Sequence, residues 1–167
     1  MNRATHFLYI ILFIFIFHGC GVYNFTGGST GNAKTFQVNF FQNNAPVIEP
    51  GLDRDFTLAL QDVILSQTNL DLVNANGNLV YEGEIVDYRI SPNSATANQT
   101  AAQNRLTIAV NVRYINNLEE GKDFERRFSF FFDYPAATQI NTIKQTAFEA
   151  IFDRLTQDIF NASLADW

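Results

Sequence analysis

Two runs of strict two-residue alternation, followed by a long run at helical spacing, set the limits on what this chain can fold into. Leu106, Ile108, Val110, Val112 and Tyr114 alternate with Arg105, Thr107, Asn111 and Arg113. After a polar break at residues 116–122, Phe124, Phe128, Phe130, Phe132 and Tyr134 share one parity up to Pro135. Successive side chains of a strand point to opposite faces, so each run is a strand with one apolar face, and the short polar link makes them an antiparallel hairpin. From Ile140 to Leu164 the period changes. Ile140, Ile143, Ala147, Ile151, Leu155 and Ile159 recur at intervals of three and four, widened by Phe148, Phe152 and Phe160, which is a helix stripe. A second stripe, Leu52, Phe56, Leu60, Val63 and Ile64, follows Pro50-Gly51 and closes at residues 67–69. Phe36, Val38 and Phe40 alternate with Gln37 and Asn39 ahead of it, a strand with one buried face. Residues 79–90 are strand-like, with parity mixed around Gly83, which predicts a bulge or a close backbone approach there. The expected fold class is α+β: two helices packed on one face of a four-stranded, mostly antiparallel sheet, in the order β-α-β-β-β-α. Residues 91–104 hold no large apolar side chain and are expected to form a long loop of the kind that carries function.

The N-terminus is a different kind of segment. Residues 7–17 read FLYIILFIFIF, an eleven-residue apolar run after a single cation, Arg3. Such a run is shorter than the roughly 20 residues a spanning helix needs and fits the core of a secretory signal peptide. The chain's one cysteine, Cys20, stands directly after it behind Gly19. This placement resembles a bacterial lipobox, with residues 1–19 cleaved as a lipoprotein signal peptide and the Cys20 thiol carrying a diacylglyceryl group. Two or three acyl chains anchor a protein stably where one does not. Residues 20–34, rich in Gly, Ser, Thr and Asn, are expected to be a flexible linker from the lipid to a single domain at 35–167. Gly21 is not aspartate and no acidic run follows Cys20, which points to an outer membrane, lipid-anchored, on the periplasmic face.

Composition narrows the chemistry further. With 47% hydrophobic and 17% charged residues, the chain is neither disordered nor a multi-span membrane protein. Both histidines, His6 and His18, fall within the segment to be removed. The remaining domain then has no histidine and no free thiol for general-base, Cys–His or His/Cys zinc chemistry. Beyond residue 19 there are 10 Lys+Arg against 17 Asp+Glu, an acidic balance that argues against nucleic acid as a partner. Glu82 and Glu84 share one face of a strand and read as solvated charges rather than an acid/base pair. No enzyme activity, cofactor or metal is expected. Arginines can hold phosphate in a two-pronged fork. Arg126 has the parity of the aromatic face and is expected at its rim with a free head; Arg105 and Arg113 share the opposite parity. The 17 Asn and 9 Gln beyond residue 19 suit contact with a polar barrel lumen or a wet interface, and equally reflect AT-rich codons.

Taken together, Cys-Gly-Val-Tyr-Asn-Phe-Thr-Gly at 20–27, the helix end at 65–70, Tyr81-Glu-Gly-Glu-Ile at 81–85, Asn-Arg-Leu-Thr-Ile at 104–108 and the final Phe160 to Trp167 resemble the lipopolysaccharide-assembly lipoprotein family LptE in its Bacteroidetes branch. The resemblance implies two helices on a four-stranded sheet and a non-enzymatic task. The family member sits as a plug in the large outer-membrane barrel LptD, assists its assembly, and binds lipopolysaccharide during its final transfer. Arg126, ahead of Phe-Ser-Phe-Phe-Phe-Asp-Tyr-Pro, falls where a basic residue of the family contacts lipopolysaccharide, and Arg105 is the second candidate. Residues 91–104 would then meet the barrel lumen or the lipid. The competing reading is a generic periplasmic lipoprotein adaptor of another envelope lipid-transport complex.

Overall fold

A computed structural model describes residues 28–93 and 103–165. Its elements are β1 (Thr35–Val38), β2 (Gln42–Asn43), α1 (Leu52–Gln67), β3 (Asp71–Leu72), β4 (Leu79–Asn93), β5 (Gln103–Asn116), β6 (Phe124–Pro135) and α2 (Ile140–Leu164). The expected lipid anchor at Cys20, the signal peptide and the middle of the 91–104 segment lie outside the described residues.

The sheet runs β3-β1-β4-β5-β6, with β2 also paired to β4. The antiparallel meander β4-β5-β6 is as expected. The four-stranded, mostly antiparallel sheet is not. The sheet is mixed and six-stranded, because β1–β3, β1–β4 and β2–β4 all pair in parallel. The cause is the crossover through α1: a strand that re-enters its sheet after a helix returns in the parallel sense. The added strands β2 and β3 are two residues each, too short to leave a periodic signal.

The register explains how one expected strand became two. Val38 stands opposite Tyr81 and Gln42 opposite Glu84, so four steps on this side match three on β4. One extra residue is a bulge, and it inverts the parity of everything beyond it. Phe40, expected to face inward, is therefore 56% exposed, and Phe41 takes the buried place instead. On β4 the bulge lies between Ile85 and Asp87, not at Gly83. Gly83 is the close approach: a Cβ there would collide with the Asn111 carbonyl oxygen and lie 2.7 Å from the Phe41 ring.

Both helices cover one face of the sheet, α1 under β1–β3 and α2 under β5–β6, and they pack on each other. Leu106, Ile108, Val110 and Val112 of β5 are fully buried against Ala147, Ile151, Leu155 and Ile159 of α2 in one core with Leu52, Phe56, Leu60 and Ile64 of α1. Asp53 and Asp55 in the first turn of α1 complement the positive end of its dipole. The last part of the expected linker is not loose. Ser29 N–H donates to the Leu164 carbonyl at 2.6 Å, Ala33 is buried, and Asn78 Oδ1 accepts from the Lys34 and Thr35 amides at 2.9 and 3.2 Å. Residues 28–34 are thus docked across the end of α2 and the 76–78 turn.

The core holds three phenols whose titration reports on it. Burial pushes Tyr81 well above its ordinary range, although the Ser163 hydroxyl at 2.9 Å opposes the shift. Burial likewise pushes Tyr88 and Tyr114 up to about 12. A folded-state pKa above the unfolded value of about 10 stabilises the fold fully below that pH and less as pH rises through the folded value. Alkaline unfolding is therefore expected above about pH 10. An absorbance titration of phenolate should show these tyrosines ionising late, together with the loss of far-UV signal. Ionisation at the ordinary pH without unfolding would contradict the burial.

Candidate functional site

No described element covers the face of the sheet away from the helices. Glu82, Glu84, Asp87, Arg89, Arg105, Arg113, Arg127 and Asp133 stand along it, with charges of both signs. Arg113 Nη1 donates to Glu82 Oε1 at 3.5 Å, and Asp87 lies between Arg89 and Arg127 at 3.6 and 3.8 Å. Exposed pairs of this kind contribute little to stability. They make a polar surface that can meet water or a polar wall.

Arg105 is more firmly held. Its Cα faces that of Asp133 across β5 and β6, and its fork donates to both carboxylate oxygens at 2.7 and 2.8 Å. Asn93 Nδ2 donates to the same carboxylate at 3.1 Å, and the guanidinium lies 3.5 Å from the centroid of the Phe131 ring. Hydrogen bonds from Arg105 hold the Asp133 carboxyl below the usual carboxylate range, and Asp133 in turn raises Arg105. The sign follows directly. The folded pKa of Asp133 is depressed, so the pair stabilises the fold above the unfolded value of about 3.9. That contribution is lost as pH falls through the folded value. Urea titrations across acid pH should show wild type and Arg105→Gln differing near neutrality and converging below about pH 3.9. A constant difference at all pH values would break this assignment.

Arg126 sits on the other face. Its Cα pairs with that of Val112, a buried position, so it lies on the helix side, at the open rim of β6. Its guanidinium is 5.6 Å from the Phe124 ring centroid. With Phe128, Asp158, Asn161 and Ala162 it borders a recess of about 420 Å³. Among the described residues the other arginines each lie within ion-pair distance of a carboxylate, and Arg126 does not. The two arginines singled out in the sequence are therefore not brought together. One has its head free at a recess, and the other has its fork occupied on the opposite face.

Glu82 and Glu84 do share the outer face, as their spacing requires. Their partners were not visible in the sequence: Asn39 Nδ2 donates to Glu82 Oε2 at 3.2 Å, and Asn44 Nδ2 donates to Glu84 Oε2 at 2.6 Å. Asp133, Asn93, Asn39 and Asn44 are the polar residues the sequence reading passed over. The run Asn-Phe-Phe-Gln-Asn-Asn at 39–44 was the available signal. Among the described residues no three His, Cys, Asp or Glu side chains are grouped to hold a metal, and no helix is long and apolar enough to cross a membrane.

The class the structure defines is a helix-backed mixed sheet with one polar face and, among the described residues, an arginine outside any ion pair at the rim of the other. The LptE family model, described as Lipopolysaccharide-assembly, matches residues 33–163, and the chain belongs to that family. It is a non-enzymatic assembly family, which places the chain in lipopolysaccharide assembly. Among solved structures, a minor lipoprotein from Acinetobacter baumannii is similar at 17% identity and TM-score 0.50, over 80% of this chain and 97% of that one. The hypothetical protein CT253 from Chlamydia trachomatis is similar at 8% identity and TM-score 0.54, over 78% and 98%. A PelC dodecamer from Paraburkholderia phytofirmans is similar at 10% identity and TM-score 0.50, over 84% and 94%. At these identities the likeness is one of fold. No curated protein matches the chain in sequence.

Proposed function

We propose that this chain is a diacylglyceryl-anchored outer-membrane lipoprotein of the Bacteroidetes branch of LptE, facing the periplasm, that plugs and helps assemble an LptD-like barrel and contacts lipopolysaccharide during its transfer. The observation that carries this reading is the family match across nearly the whole described domain, residues 33–163. The geometry is compatible with it. A plug needs a rigid body and a polar exterior, and the shared core and the open charged sheet face supply these. Cys20 supplies the anchor, with residues 28–34 docked on the fold, so that only a short stretch separates the lipid from the body. Arg126 is the first residue for lipopolysaccharide contact, because an unpaired guanidinium can fork a phosphate. Arg105 is the second, with its fork held by Asp133.

Purification of the tagged full chain in detergent, with the copurified chain identified by mass, tests the partnership; a single large barrel protein is expected. The intact mass should show residues 1–19 removed and Cys20 acylated. Recovery without a barrel partner, together with an unmodified Cys20, would defeat the proposal. Arg126→Glu is expected to weaken lipopolysaccharide binding about fivefold to twentyfold, a loss of roughly 1–2 kcal/mol. Its melting temperature should be unchanged, since the side chain is exposed. Undiminished binding by this variant would remove Arg126 from the contact.

A further inference from the structure

The bulge between β1 and β2 does more than shift register. It turns the ring of Phe40 out to solvent, 56% exposed, beside a cleft of about 420 Å³ on the open sheet face. Ligand sites of this kind fall at roughly 300–1,000 Å³. Gly83 of β4 lines the cleft with its backbone. Its walls are Asn39, Gln42, Asn44 and Asn111, with Glu82, Glu84, Glu125 and Arg113.

We propose that this cleft is a binding site for a neutral sugar residue. Three features lead to that class of ligand. First, the polar groups are held in place before any ligand arrives. Gln37 Nε2 donates to Asn39 Oδ1 at 2.6 Å, Asn39 donates on to Glu82, and Asn44 donates to Glu84. A carboxylate has acceptor capacity for several hydrogen bonds, and an amide both donates and accepts. Paired amides and carboxylates therefore offer what a vicinal diol requires, since each hydroxyl is at once donor and acceptor.

Second, an exposed aromatic face borders the cleft. The π-face is the negative side of the ring quadrupole, and it attracts the slightly positive C–H groups that line one face of a pyranose. An apolar ligand would strip water from the remaining carboxylate lone pairs and replace it with nothing, a cost that contact with one ring does not offset. Third, the cleft holds three carboxylates against one guanidinium, Arg113, which is already within 3.5 Å of Glu82. That balance repels phosphate, uronate and other anionic groups. The site is thus more acidic than the Arg126 recess, where Arg126 is matched by Asp158, and lies on the opposite face of the sheet. It stands independently of the lipopolysaccharide reading, because a neutral glycan of any origin presents the same chemistry.

Saturation-transfer NMR on the full chain in a sugar-free detergent tests the site. The neutral probes are methyl α-mannopyranoside and methyl β-galactopyranoside; the anionic probes are glucose 6-phosphate and glucuronate. Transfer to ring C–H protons of at least one neutral glycoside is expected. Phe40→Ala and Asn44→Ala should each weaken it about tenfold. Phe40 is solvent-facing, so the melting temperature of Phe40→Ala should match wild type. Absence of transfer to either neutral probe would overturn the proposal, as would transfer that survives both substitutions. Tighter binding of the anionic probes would overturn the assignment to neutral sugars.

Discussion

Phe56→Ala is expected to remove about 4 kcal/mol of stability, lowering the melting temperature by about 8–16 °C for a domain of this size. Phe56 is fully buried on α1, and its ring is the link between the three parts of the fold. Its centroid lies 5.1 Å from Phe41 and 5.6 Å from Phe152, both edge-to-face at 74°. Phe41 belongs to the bulged segment of the sheet and Phe152 to α2. Truncation leaves a void where the sheet, α1 and α2 meet, and no neighbour is free to collapse into it without abandoning another contact. The comparison is Leu58→Ala, two residues along the same helix, where the side chain is 48% exposed and the expected loss is within about 0.5 kcal/mol. Thermal or urea unfolding followed by circular dichroism separates the two. Equal losses would mean that α1 is held by its exposed face, contrary to the packing described.

What the sequence revealed and concealed follows from how far each signal reaches along the chain. α2 spans Ile140–Leu164 as its stripe predicts, and the β5–β6 hairpin turns within the polar link. Periodicity in these elements is set by burial of one continuous face. The β1–β2 bulge was hidden because Phe40 and Phe41 are chemically the same residue. Which of them faces inward depends on Gly83, more than forty positions away, leaving space for the Phe41 ring. The strands β2 and β3 were hidden because they hold two residues each. The site residues divide the same way. Arg126 at the rim was legible from its parity alone. The capture of Arg105 by Asp133 was not, since both residues have the outward parity of a solvated face and only the register sets them opposite each other. The cleft could not be read either. Two of its carboxylates come from β4 and three of its amides from the 39–44 segment, joined across that same long interval, and Glu125 comes from β6.

Gly83→Ala is expected to cost about 3 kcal/mol, at the upper end of overpacking penalties, and to lower the melting temperature by about 6–12 °C. An added Cβ would collide with the Asn111 carbonyl oxygen, which is backbone and part of the β4–β5 ladder, and would also press on the Phe41 ring. Neither can yield cheaply. Moving Asn111 disturbs the central strand pair, and moving Phe41 disturbs its contact with Phe56. The informative comparison is Gly121→Ala. Gly121 has φ +82° with nothing within 4 Å of the added atom, so its penalty is backbone strain alone, about 1 kcal/mol. Gly83 is not among the glycines with positive φ, so its penalty is steric alone. The two variants thus separate space from conformation. By pressing on Phe41 and so displacing the 39–44 segment, Gly83→Ala should also weaken transfer to a neutral glycoside under conditions where the protein remains folded, whereas Gly121→Ala should leave transfer intact. A Gly83→Ala protein as stable as Gly121→Ala would show that the two strands do not approach as closely as described, and the bulge that exposes Phe40 would lose its physical cause.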